Sequence, residues 1–470
     1  MVFSSITFLF YFLPAFLLLY ATGIGRKFIL LSFSLVFYAW GEPIYVLMMF
    51  GSIIANYGLG LLIERTRTAG RDRLVVGIGL VVNLLPLIFF KYSAFLATNL
   101  LSQNWQGSLL PILRDVPLPL GISFYTFHAM SYLIDVYRRD VPAERRFLDL
   151  AVYIAMFPQL VSGPIIRFKT IAEDLHHPAI NLERTAQGIR LFMIGLGQKV
   201  LIANSVAASA DAVFGLSPDR LSTIDAWIGI SAYTIQIYYD FAGYSTMAIG
   251  LGLIIGFRFP PNFNYPYSAV SMTDFWRRWH MSLSFWFRDY VYIPLGGNRG
   301  SPPRTYFNLI VVFLLCGVWH GAAWTFVAWG LFHGAFLAAE RAGLGRALLT
   351  VPPIIRRTYV ILAVMTGWVL FRADSFSHAA TFLHAMTGFG ATYAAGIPAS
   401  RLLHADVALA LVVGICASGP WLAEFGSGLG RHVAIGPRRF ASAVALLVLL
   451  LLSSMSIAGG AYNPFIYFRF

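Results

Sequence analysis

Long apolar runs, separated by short polar segments rich in arginine, recur along the whole chain. A membrane-spanning helix needs about 20 mainly apolar residues to cross a hydrocarbon core of about 30 Å, and we count about ten or eleven runs of that kind. A transmembrane β-barrel would instead show segments of about ten residues in which apolar and polar positions alternate. The pattern therefore predicts an all-α polytopic membrane protein, in which short runs form re-entrant or interfacial helices.

The turns between the runs place the individual spans. The first span, 3–20, is expected to be retained rather than removed as a signal peptide, because no basic residue precedes it and no clear small-residue cleavage site follows before Arg26. The sequence Gly41-Glu42-Pro43 predicts a turn between the next two spans. The further spans that we predict in the first part of the chain are 28–40, 44–63, 74–90, 117–137, 147–161, 189–208 and 226–255.

Composition and charge agree with a lipid environment. Of the 470 residues, 58% are hydrophobic and 12% are charged, so polar surface is too scarce for a soluble particle. The net charge of +13 could indicate a nucleic-acid partner, but the basic residues lie in short loops, where the positive-inside rule accounts for them. That rule places 26–27, 65–73 and 138–146 on the cytosolic side and 102–115 outside. Because no internal repeat or long linker occurs, residues 1–470 are predicted to form a single membrane-embedded domain.

The segment 256–304 departs from this pattern, because arginines and aromatic residues are interspersed in it. Ser271 and Asp274 have the spacing of a capping box, which predicts a helix that begins there and pairs Asp274 with Arg278 one turn later. Apolar residues continue at helical spacing, and the turn-forming residues at 294–298 end the helix. We therefore predict one amphipathic helix along the membrane surface, either as part of a functional site or as a plain anchor.

Two histidines lie in the segment 305–339, which contains no Asp, Glu, Lys or Arg and is long enough for two tightly joined spans. At 1.5 Å per residue, a helix from the start of the segment reaches His320 after about 22 Å, past the bilayer midplane. A neutral imidazole at that depth can remove a proton from an attacking hydroxyl. The alternative is structural: the glycines at 317–321 and 330–334 form small-residue packing motifs, and His320 and His333 only bond to neighbouring helices.

His280 is a second candidate, because it lies on the predicted interfacial helix beside Arg277 and Arg278. Arginines there can bind the phosphates of an acyl-carrier thioester. Cys316, one helical turn before His320, could form a Cys–His pair with it, but a small buried residue is the simpler interpretation.

Other polar residues carry less information. Asp240 and His128 are isolated in apolar runs, and either could be structural. The sequence contains no zinc-binding spacing of His or Cys, no glycine-rich nucleotide loop and no Gly-x-Ser-x-Gly elbow. We therefore expect neither a metal ion nor a tightly bound cofactor.

Several long motifs occur in order along the chain, and together they resemble the membrane-bound O-acyltransferase family, specifically its bacterial alginate O-acetyltransferase branch. The resemblance runs end to end. Its most specific parts are Asp274-Phe275-Trp276-Arg277-Arg278-Trp279-His280, Ser282-Leu283-Ser284, Arg288-Asp289-Tyr290-Val291-Tyr292-Ile293-Pro294-Leu295-Gly296-Gly297, Val318-Trp319-His320-Gly321 and Gly367-Trp368-Val369-Leu370-Phe371-Arg372-Ala373. The family fold implied is a ring of spans around a thinned centre, with a cytosolic opening for an acyl thioester and a periplasmic opening for the acceptor.

The resemblance also implies roles for single residues. His320 corresponds to the catalytic histidine of the family's Trp-His-Gly motif. His280 corresponds to a second histidine, which positions the reactants or stabilises the developing oxyanion. Neighbouring motif residues are the candidates for substrate binding: Arg277, Arg278, Trp279, Trp319, Asp289 and Tyr290.

The expected reaction follows from the same resemblance. An acetyl group from acetyl-CoA or another acyl thioester would pass to an exported polysaccharide such as alginate, in the bacterial inner membrane and with the help of periplasmic partner proteins. Acetylation of cellulose, peptidoglycan or another glycan and D-alanylation of teichoic acid remain alternatives, because close relatives share these motifs. Outside the enzyme class, a glycan or lipid transporter would use the histidines as proton relays, and a scaffold would tolerate their loss.

Overall fold

The computed structural model describes residues 1–389, 396–422, 424 and 435–466, and all regular elements within those residues are helical. Six described helical segments are long and apolar enough to cross a membrane: Tyr45–Ala69, Asp72–Leu100, Leu182–Phe214, Pro302–His320, Pro353–Arg372 and Arg439–Ala458. Two shorter apolar segments are Thr7–Ala21 and Ala405–Ala417. The prediction of an all-α, multi-pass membrane protein is therefore confirmed, whereas the total of about ten or eleven spans stays a prediction.

The α-helices are α1 (Leu13–Ala21), α2 (Arg26–Ala39), α3 (Tyr45–Thr66), α4 (Asp72–Leu100), α5 (Gln103–Arg114), α6 (Ile122–Arg138), α7 (Phe147–Ala155), α8 (Phe157–Leu160), α9 (Phe168–His176), α10 (Leu182–Gly197), α11 (Asn204–Phe214), α12 (Thr223–Ile255), α13 (Met272–Arg278), α14 (Met281–Phe287), α15 (Pro302–His320), α16 (Trp324–Ala339), α17 (Gly345–Leu349), α18 (Pro353–Arg372), α19 (Phe376–Thr387), α20 (Ala399–Leu402), α21 (Ala405–Ala417) and α22 (Ile435–Ala458). Wider π-helical turns occur at Thr7–Phe12, Gln198–Ala203, Arg288–Tyr292 and Glu340–Leu344, and 3₁₀ turns at Arg67–Ala69, Pro218–Arg220 and Pro266–Ser268. The predicted spans agree with these helices in part. Helix α4 continues beyond residue 90, α6 begins only at Ile122, 147–161 is divided into α7 and α8, and 189–208 lies within a longer helical stretch, Leu182–Phe214.

Backbone contacts group the chain into two compact units, the first made of Met1–Phe192 with Met247–Pro260. Its core contains an aromatic cluster around Phe157, whose ring centroid lies 5.2 Å from that of Phe16 and 5.3 Å from that of Phe12. Helices α3 and α4 are joined by two amide hydrogen bonds between the buried side chains of Asn56 and Asn83, at 3.0 and 2.8 Å. Such paired amides satisfy polar groups that lipid cannot.

The second unit consists of Met193–Thr246 and Pro261–Phe470, and it contains the hairpin of α15 and α16. The backbones of these helices meet at Gly317 and Gly330: a Cβ atom on Gly317 would meet the carbonyl oxygen of Phe326, and one on Gly330 would meet that of Phe313. The small-residue packing predicted for this segment is thus present. The prediction of one domain over residues 1–470 stays a prediction.

Candidate active site

The helix predicted from the capping box begins as expected. Ser271 precedes α13, and its hydroxyl accepts a hydrogen bond from the backbone N–H of Asp274 at 3.0 Å. One turn later, Nε of Arg278 lies 2.8 Å from Oδ1 of Asp274. A feature that the sequence did not reveal is the buried carboxylate of Glu340, which accepts from the backbone N–H groups of Met272 at 2.6 Å and Thr273 at 2.9 Å.

The single interfacial helix predicted beyond this point is wrong, because the chain breaks at His280. Helix α13 ends at Arg278 and α14 begins at Met281, and His280 itself has a left-handed backbone with φ of 44°. Backbone bonds from Asn264 N–H to the Arg278 carbonyl (3.0 Å) and from Met281 N–H to the Asn262 carbonyl (2.9 Å) take the place of helical bonds. A distant segment therefore overrides the local helical pattern.

The segment 262–264, which makes these backbone bonds, also orients the His280 ring. Oδ1 of Asn262 accepts from the backbone N–H of Ser282 at 3.2 Å and from its hydroxyl at 2.9 Å, and it lies 3.2 Å from Nδ1 of His280. Because a backbone N–H can only donate, it fixes this atom of Asn262 as the oxygen. Nδ1 of His280 is then the donor, and Nε2 carries the lone pair.

His280 is neutral in this environment. Its side chain is 1% exposed, and burial lowers the pKa of His280 to about 3. Nε2 has no hydrogen-bond partner among the residues that the structure describes. A lone pair can accept a hydrogen bond but cannot donate one to an oxyanion, so this geometry favours positioning over oxyanion stabilisation, the two roles that the sequence left open.

His320 is the last residue of α15 and lies among aromatic rings. Its ring centroid is 4.9 Å from that of Trp319, 5.1 Å from that of Trp329 and 5.2 Å from that of Phe371. It borders a cavity of about 10 Å³, roughly what one water molecule requires. The residues that line this cavity are Ile237, Phe241, Trp279, His320, Trp329, Trp368, Phe371 and Ile466.

The two histidines approach this cavity from different segments, His320 from the end of α15 and His280 from the break between α13 and α14. The ring of His280 packs edge-on against Phe241, a cavity residue, with centroids 4.6 Å apart. The ring of Trp319 lies 4.9 Å from that of His320 and 6.2 Å from that of His280. Of the predicted site residues, His320 and Trp279 therefore border the cavity, and His280 and Trp319 lie directly behind its wall.

The remaining candidates lie elsewhere. None of Arg277, Arg278, Asp289 and Tyr290 is among the described residues that line the His320 cavity. Arg277 is exposed, and Asp289 accepts from Nε of Arg288 at 2.7 Å. Their assignment to substrate binding stays a prediction.

His333 and Cys316 are packed inside the helices. Both are buried, and the His333 ring lies 5.0 Å from those of Trp276 and Trp329. Gly367 of α18 makes room for it, since a Cβ atom there would lie 2.7 Å from Nε2 of His333. Neither residue borders the cavity, which agrees with the packing interpretation.

The isolated polar residues noted in the sequence have structural partners. Nε2 of His128 accepts a hydrogen bond from the backbone N–H of Ile166 at 3.2 Å. Asp240 forms an ion pair with Lys199, with 2.7 Å between Oδ1 and Nζ. Both groups are buried, and each has at least one polar partner.

The expectation of no metal ion rested on the absence of ligand motifs, yet one cluster in the first unit brings ligand types together. Glu144, Asp149 and His176 have ligand atoms within 4.8 Å of one another. Asp149 is also paired with Nζ of Lys27 at 2.5 Å, and each ring nitrogen of His176 lies 3.2 Å from one of the two carboxylates. The contacts are those of an ion-pair network, and the expectation of no metal stays a prediction.

A second, larger cavity was missed by sequence analysis. It has a volume of about 550 Å³ and shares Phe371 and Ile466 with the His320 cavity. Polar side chains in its wall include Asp211, Gln236, Thr325, Arg372 and Asp374, and Arg372 bonds Asp211 at 2.8 Å. These residues come from α11, α12, α16 and α18 and the residues beside them, and only Arg372 lies in a recognised motif. We call this space the outer cavity.

Comparison with known proteins identifies the family of the chain. The profile of the membrane-bound O-acyltransferase family matches residues 78–376. The chain is 41% identical to the probable alginate O-acetylase AlgI of Azotobacter vinelandii over the full length of both proteins. It is 47% identical to the probable alginate O-acetylase AlgI of Pseudomonas aeruginosa, over 83% of this chain and 75% of the relative, and 38% identical to the peptidoglycan O-acetyltransferase of Helicobacter pylori, over 76% and 72%. The chain therefore belongs to the membrane-bound O-acyltransferase family, and it is an O-acyltransferase rather than a transporter or a scaffold.

Proposed function

We propose that this O-acyltransferase moves an acetyl group from a thioester donor to hydroxyl groups of an exported polysaccharide, alginate or a similar exopolysaccharide. The observation that carries the proposal is the position of the His320 imidazole, which borders a small cavity that shares two wall residues with the polar outer cavity. A hydroxyl that passes from the outer cavity into the small cavity would reach His320. Two of the relatives are named probable alginate O-acetylase and peptidoglycan O-acetyltransferase, and these names support a glycan as the acceptor.

His320 acts as the general base in this mechanism. Its ring nitrogen removes the proton of the acceptor hydroxyl while the hydroxyl oxygen attacks the thioester carbonyl. The C–S bond of the tetrahedral intermediate then breaks, and the departing sulfur takes the proton from the imidazolium. The products are the acetyl ester and a free thiol, and His320 returns to its neutral form.

His280 positions the reactants. Its lone pair on Nε2 accepts a hydrogen bond from an O–H or N–H group of a reactant near the Phe241 wall, and Asn262 holds the ring in the required orientation. Trp319, whose ring lies near both histidine rings, helps to hold them in place.

The donor binds on the side of the arginine-rich helices. Arg277 and Arg278 on α13 offer guanidinium groups to the phosphates of acetyl-CoA or another acyl thioester, and Asp289 and Tyr290 of the following motif are assigned to the same donor site. Under the positive-inside rule this face would be cytosolic. The chain then lies in a bacterial inner membrane, with the polysaccharide and periplasmic acetylation proteins on the other side.

The test is transfer of labelled acetyl from acetyl-CoA in membranes that contain the wild-type chain, His320→Ala or His280→Ala at matched levels. We expect His320→Ala to lower transfer about 100-fold or more, because it removes the general base. The exposed His384, on α19, provides a matched control, and His384→Ala should transfer at the wild-type rate. Transfer that is intact in His320→Ala would refute the proposal.

The acceptor is tested separately by supplying alginate, peptidoglycan or cellulose fragments, with and without periplasmic extract. Label in alginate supports the proposal as stated. Label in peptidoglycan or cellulose alone would contradict the alginate assignment and leave acetyl transfer to a glycan in place.

A further inference from the structure

The segment 462–466, which follows α22, contributes to the walls of both cavities. Pro464, Phe465 and Ile466 line the outer cavity, and Ile466 also borders the His320 cavity. Phe465 and Ile466 are each 6% exposed. Ile466 is therefore the side chain of this segment that touches both the space beside His320 and the space outside it.

A buried ion pair fastens the segment. Lys199 and Asp240 are each 2% exposed and lie 2.7 Å apart. Nζ of Lys199 also donates to the carbonyl oxygen of Pro464, and Oδ2 of Asp240 accepts from the backbone N–H of Ile466 at 2.8 Å. Each charge thus holds one main-chain group of the segment.

Further hydrogen bonds hold the segment 462–466 against α11. Nδ2 of Asn204 donates to Oδ1 of Asn463 at 3.1 Å, and the Tyr462 hydroxyl donates to Oδ2 of Asp211 at 2.7 Å. Asn204 is itself bonded to Lys199, whose Nζ lies 2.7 Å from Oδ1. The contacts therefore form one network from the ion pair to the outer cavity.

The energetics show why a charged pair suits this place. A buried ion pair is weak evidence for stability, because apolar residues of similar volume often replace it without loss. Buried charges do, however, require hydrogen-bond partners in fixed positions. Here those partners are the main-chain groups of Pro464 and Ile466, so the pair fixes where the Ile466 side chain lies.

Water is the chemical competitor at such a site. If His320 activates an acceptor hydroxyl, it activates a water molecule equally well. The water oxygen would attack the thioester carbonyl, the C–S bond would break, and the sulfur would leave as a thiol with the proton that His320 removed. The acetyl group would be lost as acetate with release of one proton. An enzyme of this kind must therefore limit access from the outside.

We propose that Ile466, held in place by Lys199 and Asp240, is a specificity-determining residue that restricts passage from the outer cavity to His320 and so favours the acceptor hydroxyl over bulk water. Lys199 and Asp240 are positioning residues, since they act through segment 462–466. The proposal rests on the proposed function of His320 as general base.

The first test is Ile466→Ala, assayed in membranes for acetate released from acetyl-CoA without acceptor. We expect this hydrolysis to rise roughly tenfold over wild type, a gain that a loss of folded protein could not produce. Ile415→Ala removes the same atoms from an exposed position on α21 and should release acetate at the wild-type rate. Unchanged hydrolysis in Ile466→Ala, with His320-dependent transfer intact, would overturn the inference and leave the proposed function standing.

The second test addresses the ion pair. Lys199→Met combined with Asp240→Leu removes both charges at similar volume, so the protein should still fold. We expect the double variant to release acetate faster than wild type. Wild-type hydrolysis in the double variant at normal membrane level would refute the positioning role.

A third test adds His320→Ala to Ile466→Ala and should abolish the gain in acetate release. If the gain persists, the water is not activated by His320 and the inference falls.

Discussion

Oδ1 of Asn262 lies 3.2 Å from Nδ1 of His280, and the backbone N–H of Ser282 bonds the same oxygen. This relationship selects the tautomer of a buried histidine at the edge of the candidate active site. The selection depends on a residue that lies 18 positions earlier in the chain. Asn262 thereby acts on the chemistry through His280.

Asn262→Ala should lower acetyl transfer by up to about 100-fold, because the His280 ring loses the acceptor that orients it. Ser282→Ala is the matched control: it removes the hydroxyl bond to Asn262 and keeps the backbone N–H bond, so its effect should be small. Both are measured as initial rates at equal protein level. Full activity in Asn262→Ala would show that the orientation of His280 is unimportant.

The pH dependence of stability should carry a contribution from His280. Burial lowers its pKa from 6.5 to about 3, so below pH 6.5 the unfolded chain binds a proton that the folded chain does not. The contribution is complete above pH 6.5 and is lost as the pH falls toward 3, at about 1.4 kcal/mol per pH unit.

This contribution is measured as the free energy of unfolding in detergent between pH 7.5 and 5. We expect His280→Gln to lose less stability than wild type over that range, whereas His384→Ala should follow the wild-type slope. Identical slopes for His280→Gln and wild type would contradict the buried, neutral state of His280.

The contact of Gly317 with Gly330 should tolerate no side chain. Gly317→Ala places a Cβ atom against the Phe326 carbonyl, and helix α16 must move to admit it, at about 1–3 kcal/mol of overpacking. Gly77→Ala in α4 is the control, because a Cβ atom there meets nothing within 4 Å. Thermal unfolding in detergent should give a lower unfolding temperature for Gly317→Ala and an unchanged one for Gly77→Ala.

Glu340 should stabilise the start of α13. Its carboxylate accepts hydrogen bonds from two backbone N–H groups and from the Thr273 hydroxyl at 2.6 Å. In Glu340→Gln the amide NH₂ group replaces one accepting oxygen and faces these donors. We therefore expect the variant to lose about 1.5–3 kcal/mol of unfolding free energy. Glu183→Gln changes an exposed residue in the first turn of α10 and should stay within about 0.5 kcal/mol of wild type. Equal unfolding temperatures for the two variants would show that this cap contributes little.

The features that sequence analysis predicted are local or periodic. The cap at Ser271, the Asp274–Arg278 pair and the hairpin that turns after His320 depend on residues a few positions apart. The break at His280 could not be predicted, because its cause is hydrogen bonding to a separate segment. The outer cavity was missed for the same reason: Arg372 and Asp211 are 161 positions apart and become neighbours only in the fold.

The charges in the wall of the outer cavity have a consequence for recognition. Arg372 is bonded to Asp211 and lies over the Phe214 ring at 5.3 Å, so its charge is already balanced, and Asp374 adds a negative charge nearby. These three charges leave a net negative wall, which does not attract a polyanion. Under the proposed function, a uronate chain would be selected here through its hydroxyl groups and shape, and added salt would not weaken its binding to this cavity, because there is no attraction for salt to screen.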